Sequence, residues 1–430
     1  MRCPRVDLQP LSHPAAEKKS RHFFFGYYDK TPWDAAGRRI LAHRTTFLDR
    51  FPNPEGRTDV GFFSTDGTGK YMKLAETTAW NWQQGSQLQW LPDNDGGGQR
   101  VMFNDRRENR LVSVILNPDN GKAQTVDSSI YTLHPSGRTA LTLNYARLFD
   151  MRMDYGISGL ADSWRDVLCP SDDGIYSVDL NTGHRSLIVS ILQVAAIQPN
   201  PLGEYAKHWV NHMMFNPSGR RFCFLHRFNR PDGITHSRLF SADSDGRNLR
   251  LLFEGMVSHY SWRDDTTILA WAGKRSILGG SSHRSSALAS RLRRCLKPVY
   301  YAMGKPRILM QKIMRDSFYL VEDSEQAMAE RFAYGKLTSD GHCTFSPDRT
   351  WVLTDGYTDR QNRLPLFLYS TQTEEVIEIG RFPTPRELDG PIRVDLHPRF
   401  NADGTKVCID SAMDGTRQMY VIDVSGITRN

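Results

Sequence analysis

The chain has 430 residues, a formal net charge of +7, 39% hydrophobic and 11% aromatic residues, enough apolar material for a sizeable core. No run of about 18 apolar residues exists to cross a bilayer as a helix. Six scattered cysteines (Cys3, Cys169, Cys223, Cys295, Cys343, Cys408) lack any CxxC or finger spacing, which argues against a disulfide scaffold or zinc finger and for reduced, buried thiols.

The opening Met1-Arg-Cys-Pro-Arg-Val-Asp-Leu-Gln-Pro has no apolar stretch of the secretory kind, so a cytoplasmic location is expected. From there one frame recurs. Its clearest copy is His212-Met-Met-Phe215-Asn-Pro-Ser-Gly219, followed by the β-rich run Phe222–His226. It returns as His259-Tyr-Ser-Trp262, His342-Cys-Thr-Phe345 and His397-Pro-Arg-Phe400, and more weakly as Lys30…Trp33, Gln87…Trp90 and Ile130…Leu133. A turn followed by a strand, repeated seven times at a period of tens of residues, predicts blades. The fold expected is all-β: a seven-bladed β-propeller of four-stranded antiparallel blades, residues 1–430 forming a single domain.

Only three strands fit after His397, so the N-terminal segment Arg5-Val-Asp-Leu-Gln is expected to supply the fourth and close the ring. Two interruptions are predicted. One is a long excursion from about Leu148 to Asp173 in the third blade. The other, in the fifth blade at 274–316, holds eleven Lys/Arg and one acid, Asp316, with apolar residues at roughly helical spacing. It reads as a basic, partly helical insertion on the top face. Each cation near an anionic lipid surface contributes about 1 kcal/mol, so a peripheral place at the inner membrane face is one expectation and a plain surface excursion the other. No nucleic-acid motif accompanies the charge, and nucleic acid is not expected as a partner.

In a blade, the residues just before the first strand and just after the second meet around one mouth. The frame histidines therefore converge. Any one of them could simply be satisfied by a backbone carbonyl, but packing does not call for four. His259, His342 and His397, from adjacent blades, are expected to hold a divalent transition metal, with Mn or Zn the leading choices. Asp340 and Asp395 stand two residues before His342 and His397 and could ligate or orient them. His212 is the leading candidate for a general base and His208 the second. The ends of the second strands add Arg44, Asn104, Asn144, Arg147, His226, Arg227 and Tyr357; arginine there can grip a carboxylate, sulfate or phosphate. Trp80, Trp82 and Gln87 are expected to meet a sugar ring, with packing between blades the alternative for the tryptophans.

On these frames the chain, from about Tyr27 to Val424, resembles the seven-bladed propeller lyases, chiefly oligogalacturonate lyase and more distantly the ulvan and rhamnose-glucuronate lyases. The resemblance implies a metal among histidines and a glutamine in the funnel, with a histidine base and an arginine for β-elimination. It places His212 at the base and His259 and His342 at metal positions. The family's closely spaced Gln and His ligands are not reproduced around His342, where Leu337 and Asp340 stand.

Two functions follow as expectations. The first is a lyase acting on an acidic, uronate-containing glycan, with His212 or His208 as base, Arg227 or Arg147 as helper, and Tyr28, Tyr131 or Tyr357 protonating the leaving oxygen. The second is a non-catalytic binding or scaffolding propeller in cell-surface polysaccharide biosynthesis, with the basic insertion docking to membrane or partner. Fold alone does not choose between them.

Overall fold

The computed structural model describes residues 7–12, 21–92, 98–273 and 316–429. Short strands rich in β-branched and aromatic residues pair antiparallel in six sheets, five of four strands and one of seven. The seven-stranded sheet divides within one 13-residue strand, Arg250–Trp262, which pairs with Thr235–Asp243 through its first half and with Thr267–Gly273 through its second. That strand is the outermost of the fourth unit and the innermost of the fifth. Counted so, the strands of the described residues fall into seven groups of four.

The innermost strands are short: Gln89–Leu91, Thr132–Leu133, Thr344–Phe345 and Arg399–Phe400. Each starts two residues after the leading residue of the frame, so that residue lies just ahead of the strand, at the channel. Between neighbouring units lie clusters of fully buried side chains, such as Leu269, Trp271, Phe318 and Val352 between the fifth and sixth. At roughly 1.5–3 kcal/mol for each large apolar side chain buried, this packing between neighbours holds the ring together.

The last sheet is completed by Leu8–Pro10, whose residues pair with Tyr420–Ile422. The segment is a few residues later than Arg5-Val-Asp-Leu-Gln, but the N-terminal chain does supply the fourth strand. Of the insertion at 274–316 only Asp316 lies within the described residues, so the expected basic helix falls outside them.

The first unit departs from the repeat. Its inner strand is His22–Phe24, and the sheet resumes only at the Trp33 to Ile40 bridge. Residues 25–32 leave the sheet between these points and carry Tyr27 and Tyr28 into the channel. Gly26 permits the turn: its φ is 131°, and a Cβ there would lie 2.9 Å from the Gln84 backbone. The third unit's excursion begins with a helix, Tyr145–Met151, capped by Asn144.

Candidate functional site

The four frame histidines do meet. The rings of His259 and His342 are 4.1 Å apart between centroids, and those of His342 and His397 4.3 Å. His212, from the neighbouring fourth unit, is joined to them through two tyrosines. Tyr27 packs edge-on against His212, His342 and His397 at 5.0, 5.7 and 5.1 Å. Tyr28 packs against His212, His259 and His342 at 5.6, 5.9 and 5.0 Å. None of the four imidazoles is more than 5% exposed.

Backbone conformation aims these side chains. Gln87, His212 and His397, equivalent in the repeat, have φ of 57°, 54° and 43°, a left-handed region that costs a side-chain-bearing residue about 1–2 kcal/mol. Local bonds hold the strain. The His212 N–H donates to the Tyr131 hydroxyl at 3.0 Å, and its carbonyl accepts from the Tyr260 hydroxyl. Gly341 lets the chain before His342 approach the next strand, because a Cβ there would lie 1.8 Å from the Asp355 carbonyl oxygen.

Carboxylates then set the imidazole tautomers. Asp355 accepts from the His342 N–H at 2.7 Å, from its Nδ1 at 2.9 Å and from the His397 N–H at 3.3 Å, so one side chain registers two units. His259 Nδ1 lies 2.9 Å from Asp340 Oδ1. With Nδ1 donating, the lone pair sits on Nε2. Burial works against charge on His342, but the neighbouring Asp355 outweighs it and raises its pKa. His212 and His397 are pushed well below the usual imidazole range, first by burial and next by the charge of a neighbouring histidine. Both are neutral at pH 7.

The donor set fits a metal. Nε2 of His342 and of His397 are buried without a hydrogen-bond partner. Ligand atoms of His342, Asp395 and His397 all lie within 4.8 Å of one another. Two imidazoles and a carboxylate suit Mn, Fe or Zn. Asp395 thus enters the cluster where the sequence placed His259, which stands beside it.

Around the imidazoles are cations. Arg227 is 5% exposed, donates to the Val257 carbonyl at 3.2 Å and leaves its Nε unpartnered, with no carboxylate in ion-pair range among the described residues. Burial, then the charge of Arg152, lowers its pKa to about 10. Arg393 bonds Asp395 and Asp154, at 2.8 Å each, and the Tyr155 hydroxyl at 3.2 Å. Tyr357 is half-buried, its ring 6.4 Å from His259.

Other expected site residues are elsewhere. Trp80 and Trp82 are 1% and 2% exposed, pack on Phe24 and donate to the carbonyls of Gly56 and Arg50, so they are core and present no face to a sugar. Arg147 spends its guanidinium on the carbonyls of His208, Trp164, Val167 and Leu168, stapling the third unit's excursion. Asn144 caps the helix and bonds Asp162 and Asp173. Asn104 is fully buried between Ile130 N–H and carbonyl. Arg44 pairs with Asp59 at 2.6 Å and stacks on Tyr71. His208 and His226 bond each other at 2.8 Å within the fourth unit, and His208 also reaches the Gly203 carbonyl, so neither joins the four frame imidazoles. Gln87 reaches the site only indirectly, through Gln84 to Tyr131. Sequence reasoning gave no role to Tyr27, Arg152, Tyr155 and Arg393; the spacing Arg393-x-Asp395-x-His397 is the signal that could have found one of them.

No family model matches the chain, and no curated protein matches it. Among solved structures it is similar to oligogalacturonate lyase from Vibrio parahaemolyticus, at 12% identity and a TM-score of 0.58 over 98% of this chain and 97% of that one. It is similar also to an oligogalacturonate lyase in complex with manganese, at 12% identity and a TM-score of 0.60 over 98% of each chain. The chain therefore has a mostly-β, propeller-like fold in common with oligogalacturonate lyases along nearly its whole length.

Proposed function

We propose that the chain is a metal-dependent lyase that cleaves an acidic, uronate-containing oligo- or polysaccharide by β-elimination. The observation that carries this reading is the pair of buried, partnerless Nε2 atoms of His342 and His397 beside Asp395. A divalent metal held there, Mn or Zn first, would act as a Lewis acid on the substrate carboxylate. Arg227, whose guanidinium has no carboxylate partner among the described residues and whose Nε is free to donate, offers that carboxylate a cation in a dry site, where charge pairing is strongest. Neutral His212 accepts the proton from the carbon next to the carboxylate. The carbon–oxygen bond to the leaving sugar breaks as the carbon–carbon double bond forms. Tyr357, kept protonated by burial, gives its proton to the leaving oxygen. His208, Arg147, Trp80 and Trp82 have no part in this scheme.

One observation favours the second reading, a binding propeller of polysaccharide biosynthesis: the four imidazoles are almost closed to solvent, as a purely structural cluster would be. Two measurements separate the readings. The purified protein is assayed for bound metal, then incubated with a panel of uronate oligosaccharides while ultraviolet absorbance follows unsaturated product. Metal and product together support the lyase; metal without product on any acidic glycan supports the binding module. Placement is proposed as cytoplasmic, with the basic insertion at 274–316 a contact for anionic membrane; no helix among the described residues is long and apolar enough to cross a bilayer.

A further inference from the structure

A cavity of about 1030 Å³ opens on the face opposite the histidines, at the upper end of the roughly 300–1,000 Å³ typical of small-molecule sites. The hairpin turns between first and second strands form its walls, which present the rings of Trp33, Trp90, Phe345 and Phe400. Its inner end is the segment that leaves the first unit, Tyr28-Asp29-Lys30. Tyr28 lines this cavity and packs against three of the frame histidines, so its ring partitions the two ends of the channel.

Two polar atoms there are unsatisfied. The Asp29 side chain is 1% exposed and pairs with Lys30 Nζ through Oδ2 at 2.9 Å, yet its Oδ1 has no partner. The indole Nε1 of Trp33, 4% exposed, has none either. A buried carboxylate oxygen and a buried N–H without partners are costly to keep, and such groups in a cavity wall are what a ligand satisfies. Lys30 already balances the Asp29 charge, so a second ion is not called for. One hydroxyl could donate to Asp29 Oδ1 and one oxygen could accept from Trp33 Nε1, while aromatic rings cover the carbon face of a ring.

We propose that this cavity is a second binding site, for a neutral, hydroxyl-rich ring of the sugar class, separate from the histidine chamber. It does not depend on the lyase reading. Saturation-transfer NMR with maltotriose tests it on the full chain and on Asp29→Asn, Trp33→Phe and His342→Ala, each checked for an intact melting transition. The wild type and His342→Ala should show the same transfer. Asp29→Asn and Trp33→Phe should each weaken binding about tenfold, the value of one good hydrogen bond; Asp29→Asn is nearly isosteric and decides the matter if Trp33→Phe fails to fold. No transfer in the wild type, transfer lost in His342→Ala, or transfer unchanged in both cavity variants would overturn the proposal.

Discussion

Units four to seven and units one to three follow the same repeat, but they bring different chemistry to the channel. The former bring His212, His259, His342 and His397 to the channel, with carboxylates fixing the tautomers of His259 and His342. The latter bring Tyr27, Tyr28, Gln84, Gln87 and Tyr131, which touch or tether the imidazoles through rings and hydroxyls. The difference teaches that one half of the channel presents lone pairs and the other half holds them in place.

That division can be broken by experiment. The largest effect is expected from His342→Ala, which removes a central imidazole: bound metal and lyase activity should both vanish, with stability lowered by about 1–3 kcal/mol as buried Asp355 loses a donor, and unchanged metal content would show that the histidine half is not a metal site. Trp80→Ala should do the reverse, costing about 3–5 kcal/mol in denaturant unfolding for a lost buried indole while metal affinity stays the same.

Imidazoles exist in the tethering half too, and pH should expose them as structural. His22 and His43 are held at about 4, in both by burial first, with Arg417 adding to it for His22. Unfolded, each takes a proton near pH 6.5, so the unfolded state binds more protons below that value. Stability should be full above about pH 6.5 and fall as pH drops towards 4, by up to about 3 kcal/mol for each group at about 1.4 kcal/mol per pH unit. Urea titrations at pH 7, 6 and 5 read it, and a flat profile would count against their burial. The smallest change is expected from Tyr131→Phe, which leaves the buried His212 N–H without its acceptor and should cost about 1–3 kcal/mol of stability with metal content intact.

The repeat was legible because each unit needs an aromatic residue, a turn and a strand in fixed order, and the same register put four histidines in one place. What escaped was supplied by segments outside the repeat. Tyr27 enters only because residues 25–32 abandon their sheet, and Arg152, Tyr155 and Arg393 come from connecting loops whose paths no periodicity encodes. Asp395, by contrast, was visible from its spacing to His397. Trp80 and Trp82 mislead because an aromatic pair in a connecting loop looks the same whether it faces solvent or Phe24. Arg147 and Asn144 mislead for a related reason: both secure a local excursion whose carbonyls could not be located beforehand.

The strand Arg250–Trp262 has a mechanical corollary. At roughly 3.3 Å per residue it runs some 40 Å, belonging first to one unit and then to the next, and it turns at the border through Gly255, whose φ is 134°, and a register shift between Val257 and Tyr260. The fourth and fifth units are thereby joined in one hydrogen-bonded sheet, whereas the other units form separate sheets among the described residues. The sheet edges elsewhere are lightly stitched: Leu8–Pro10 pairs through three residues, and the innermost strands Thr132–Leu133, Thr344–Phe345 and Arg399–Phe400 through two each. His212 and His259 are therefore carried by one continuous sheet, whereas His397 rides on the sheet that Leu8–Pro10 completes.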